Sequence, residues 1–143
     1  MSLDLKPAIL KALLEDANVI AYVDEWETGH AISTRRPVPK SFPPRCMVIN
    51  DPAAIGDFDG LNSDRPIVVQ DIAIYGNQPA DYREVEALGF HVRTMFHRQK
   101  WSIQPEGFKV VDIVASGPIV GPVDDERTVA RIVTITVKLR RSP

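Results

Sequence analysis

The chain has 143 residues, 44% of them apolar and 25% charged, with a formal net charge of −2. That length fits one domain, able to bury roughly 68–70% of its unfolded surface, and the near-neutral charge excludes broad electrostatic binding to nucleic acid. The one cysteine, Cys46, leaves no intramolecular disulfide, and no apolar run approaches the ~18 residues of a membrane span, so a cytoplasmic protein is expected.

The first element is a helix over about 6–16. Leu5, Ile9, Leu10, Leu13 and Leu14 share one face at helical spacing, Asp4 is placed to cap the start, and Pro7 suits a first turn. Asn18 is placed to cap a second short turn carrying Ile20 and Tyr22. Pro37, Pro39, Pro43 and Pro44 then forbid a helix or central strand, which predicts an extended arm over 26–44. Arg45 to Asn50, bounded by Pro44 and Pro52, reads as a short buried strand. The stretch 51–64, rich in aspartate and holding Gly56 and Gly60, reads as a surface loop.

Arg65 to Tyr75 reads as a strand with apolar residues on both faces, hence a central one. Asn77-Gln78-Pro79 opens a second helix, with Pro79 in its first turn. Tyr82, Val85, Leu88, Val92, Met95 and Phe96 keep helical spacing through it. Gly89 inside this helix costs about 1 kcal/mol relative to alanine, and so marks either close packing or a local defect. Phe108 to Ser116 is a third strand, 117–125 a turn-rich connection, and Arg127 to Leu139 a strand dominated by β-branched residues. The expected fold is α+β: two helices packed on a mainly antiparallel sheet of about four strands, in the order α-β-β-α-β-β, over a single domain 1–143.

Few residues carry chemistry. The loop Asp57–Asp64 has its glycine, Gly60, at position 4 and no closing glutamate, so it does not fit the calcium loop, which needs glycine at position 6. Cys46 with His30, His91 or His97 would make a thiol–imidazole pair, but a cysteine inside an apolar strand reads as an inert buried thiol. His91 and His97 match no zinc spacing, and there is no phosphate-binding glycine loop and no G-x-S-x-G elbow. No catalytic residue, metal or cofactor is expected. The long connections 26–44, 51–64 and 117–125 stand out instead, because long irregular segments in small domains tend to serve a function. Trp26, Phe42, Phe58 and Trp101 lie in or beside irregular segments, where aromatics often anchor interfaces.

The segments ILKALLEDANVIAYV, FPPRCMVIND, IVVQDIAIYG, ADYREVEALGFHVRTMF and RTVARIVTITVKLRR, taken together, carry a resemblance over nearly the whole chain. In their order and character the sequence resembles the tail-terminator (tail-completion) proteins of long-tailed bacteriophages, with the 51–64 loop and the basic end at Arg140 and Arg141 as local variations. The resemblance implies a structural virion protein that assembles in the host bacterial cytoplasm. It would form a hexameric ring on the head-proximal end of the tail tube, end tube polymerisation and offer the joint to the head. The implied partners are copies of itself, the tail tube protein and the head–tail connector protein, without a membrane or specific nucleic-acid binding. The interface candidates are Trp26, Phe42, Phe58, Trp101, Arg140 and Arg141. Two other readings stay open: a head–tail connector (stopper) or other minor tail subunit, and a small enzyme or ligand-binding domain with a cleft near His91, His97 and Trp101.

Overall fold

A computed structural model describes residues 4–27, 29–34, 42–52, 54–57, 65–123 and 126–142. Among the described residues, three helices, α1 (Lys6–Leu14), α2 (Ala17–Tyr22) and α3 (Tyr82–Phe96), accompany eight strands. These are β1 (Glu25–Trp26), β2 (Gly29–His30), β3 (Ile32–Ser33), β4 (Cys46–Ile49), β5 (Ala54–Asp57), β6 (Pro66–Asn77), β7 (Phe108–Val120) and β8 (Thr128–Arg141).

The three long strands form the frame. β6 lies between β4 and β8, and β8 between β6 and β7, all antiparallel. Its central place explains why β6 is apolar on both faces. Val68, Ile72 and Ile74 turn toward the helices together with Val133, Ile135, Val137 and Leu139 of β8 and Ile113 and Ala115 of β7. Leu5, just before α1, Ile9 and Leu13 within it, and Val85, Leu88, Val92 and Phe96 of α3 close over them in one cluster. On the face away from the helices, Asp71 accepts a hydrogen bond from the Thr134 hydroxyl at 2.7 Å. The half-buried Ile67, Val69, Ile132 and Thr136 lie around that pair.

The expected four-stranded antiparallel sheet with two helices is corrected here. Six strands make up the main sheet, β3 pairs parallel to β4, β1 and β2 form a separate antiparallel ribbon, and a third helix is present. The exact order α-β-β-α-β-β therefore does not hold, although α1, β4, β6, α3, β7 and β8 taken by themselves follow it. The described part of the 26–44 arm holds strand pairs rather than a plain extended connection. β5 occupies part of the expected loop 51–64, and β7 runs on to Val120 through the start of the expected connection 117–125.

β4 and β5 pair with successive stretches of the same edge of β6. At the break between them the fully buried Gln70 donates from Nε2 to the Asn50 carbonyl, an acceptor that would otherwise lie beside the core. α2 is capped by Asp16 rather than Asn18: its carboxylate accepts the Asn18 and Val19 N–H groups at 3.0 Å. The Asp4 carboxylate accepts the Lys6 N–H at 3.0 Å, as expected at the start of α1. α3 begins three residues after Pro79, at Tyr82. The Asp81 side chain folds back to accept the Asn77 N–H at 2.8 Å and so fixes the turn between β6 and α3.

Candidate assembly surface

α3 lays Val85, Leu88, Val92 and Phe96 on the sheet, which leaves Tyr82, Glu86, Gly89 and Arg93 along one flank. That flank meets the tip of the β7–β8 ribbon. The Arg131 guanidinium lies 5.2 Å from the Tyr82 ring centre, with its Nε 3.6 Å from Glu86 Oε1. Arg93 donates from Nη1 to the Gly117 carbonyl at 3.3 Å. A Cβ built at Gly89 would stand 2.7 Å from Pro118 Cβ, so the glycine is there because the bulge of β7 touches the helix backbone.

This clamp sets the bulge at 116–119, where β7 loses its register with β8. Beyond it Ile119 and Val120 are 59% and 76% exposed, and Val123 and Tyr82 lie nearby at 42% and 41%. Tyr82, Val120, Gly121, Val123, Glu126 and Arg131 line an open groove of about 580 Å³. A cluster of exposed apolar side chains with a polar rim marks an interaction site. The sequence shows 117–125 only as a turn-rich connection, and Tyr82 and Arg131 only as members of a helix and a strand.

The sequence-derived candidates divide. Trp26 and Phe42 pack edge-to-face, with ring centres 4.8 Å apart, and both are partly buried, so they bind the hairpin and the start of β4's approach to each other. Phe58 lies outside the described residues. Trp101 is 71% exposed on a turn closed by the Ser102 N–H to the Gln99 carbonyl at 2.8 Å, and the Lys100 ammonium lies 5.6 Å from its ring centre. Arg140 and Arg141 are exposed at the end of β8. The Arg141 guanidinium lies 5.1 Å over Phe108, and Arg140 is in register with Lys109, which makes this end of the ribbon basic.

The histidines are used in holding elements together. His91 reaches Asp16 at 2.9 Å and Asn18 at 3.3 Å, tying α3 to α2. His97 accepts the Ala115 N–H on Nδ1 at 3.1 Å, and the Arg98 N–H donates to the Ile113 carbonyl at 2.7 Å. The turn after α3 thus covers part of the outer edge of β7. The groove beside His91, lined by Tyr22, Arg45, Glu84 and Leu88 among others, includes neither His97 nor Trp101. Within it Arg45 donates to Glu84 at 2.7 Å and lies 4.4 Å over the Tyr22 ring. Burial pushes the Tyr22 phenol up, reinforced by Asp81, and its hydroxyl donates to the Tyr75 carbonyl at 2.7 Å. Cys46 is buried in β4. Among the described residues no group of side chains is arranged to hold a metal ion, and no helix is long and apolar enough to cross a membrane.

No family model matches the chain, and no curated protein matches it either. Among solved structures, the fold is similar to that of a chain in the virion of a native gene transfer agent particle. The TM-score is 0.73 at 12% sequence identity, over 95% of this chain and 94% of that one.

Proposed function

We propose that this chain is a structural subunit of a phage or phage-like particle and performs no catalysis. The observation that carries the reading is the likeness, over nearly the full length of both chains, to a chain from a gene transfer agent virion. The exposed apolar groove at the β7 tip and the basic end of β8 supply surfaces for such assembly. The finer role is that of the family the sequence resembles: a hexameric ring on the head-proximal end of a tail tube, located in the tail of the virion. It would block addition of the next tube subunit and offer the joint to the head. Its partners in that role are its own copies, the tail tube protein and the connector protein.

Two measurements test this. Native mass spectrometry across a concentration range is expected to give a discrete hexamer, and a monomer at every concentration contradicts the ring. Deletion of the gene from its phage is expected to give over-long tails by electron microscopy. Tails of normal length beside unjoined heads would make the protein a connector, and normal particles would end the assembly reading.

A further inference from the structure

Trp101 and the groove at the β7 tip lie at opposite ends of α3. Tyr82, which lines the groove, begins that helix, and Trp101 follows its last turn. At 1.5 Å per residue the helix alone separates them by about 21 Å, so the indole cannot fill the groove of its own chain. One molecule therefore carries an unfilled apolar groove and an uncovered aromatic knob. The groove, about 580 Å³ in volume, is open to solvent and lined largely by apolar surface. An indole lying in it hides part of the roughly 150–250 Å² that a large aromatic side chain can bury.

The charges match as well. Lys100 accompanies the knob, with its ammonium near the indole ring, and Glu126 stands exposed at the groove. The turn Gln99–Ser102 holds the tryptophan outward, which limits the ordering cost of contact.

We infer that Trp101 of one copy seats in the Tyr82–Val120–Val123 groove of the next, with Lys100 facing Glu126. A knob and a groove at different places on one chain make a heterologous contact. Repeated, it closes into a ring or runs on as a filament. The inference rests on the ring reading above and supplies that ring with a named joint.

The test uses the full chain in three forms: wild type, Trp101→Ala, and Val120→Asp. Both substituted positions are well exposed, so neither change removes a core side chain. Native mass spectrometry is expected to give an oligomer for wild type and a monomer for each variant alone. An equimolar mixture is expected to give a one-to-one dimer and nothing larger, because only one intact knob and one intact groove remain to meet. Lys100→Glu is expected to weaken assembly at low salt at least tenfold, and adding Glu126→Lys to restore it. Wild type and both variants forming the same oligomer overturns this joint and leaves the ring intact. A wild-type chain that stays monomeric at every concentration overturns the joint and the ring together.

Discussion

Gly89 is where the helix propensity scale gives the wrong sign. In an exposed helix, replacing glycine by alanine gains about 1 kcal/mol. Here the new methyl would stand 2.7 and 2.9 Å from two carbons of Pro118, both within a rigid ring. Overpacking of that kind costs about 1–3 kcal/mol. Gly89→Ala is therefore expected to lower stability in urea unfolding, and Pro118→Ala in the same chain to recover part of the loss. Tyr22 offers a second residue-scale test. Its folded-state pKa is raised by burial, so the folded protein holds the phenolic proton more tightly than the unfolded chain. The stability this contributes is whole below the unfolded value of about 10 and is lost as pH rises above it. Tyr22→Phe is expected to cost about 1 kcal/mol at neutral pH, from the lost bond to the Tyr75 carbonyl. Its unfolding free energy should also fall less steeply than wild type above pH 10, and equal slopes for the two proteins would contradict this account.

Among the elements, periodicity carried as far as the element was long. α3, β6 and β8 were legible because each repeats its spacing several times, and β6 could be placed centrally because both its faces are apolar. β1, β2 and β3 have two residues each, too few to display a period of two, and the four of β5 (Ala54–Asp57) include a glycine and an aspartate and show no alternation. Their pairing comes from tertiary contact alone. α2 was visible as a short turn, but its cap was assigned to Asn18 when Asp16 is better placed to reach two backbone N–H groups. Asp16 also receives His91, which no sequence spacing reveals across 75 positions. Asp16→Ala is expected to cost about 0.5–2 kcal/mol in thermal or chemical unfolding. Asp16→Asn, which keeps the cap, should retain most of that. The candidate surface was half legible: Trp101 stood out as an aromatic beside an irregular segment, but the groove is assembled from α3, β7 and β8 and exists only once they pack.

At the scale of the whole molecule, the parallel pair β3–β4 needs a crossover of about a dozen residues. β3 ends at Ser33 and β4 begins at Cys46, so twelve residues separate the two strands in sequence. β8 is the last strand in chain order, yet it lies inside the sheet, between β6 and β7. Its partners in β6 lie far back along the chain: Ile67 pairs with Lys138 and Asn77 with Thr128. During synthesis, which proceeds at about 5–20 residues per second, β6 and β7 both emerge before the strand that joins them. A nascent chain short of residue 128 thus holds two long strands with no ladder between them, and neither the groove nor the clamp on Arg131 exists yet. Any contact made at that end of the molecule therefore needs β8 in place, because Arg131 of β8 both lines the groove and holds Glu86 of α3.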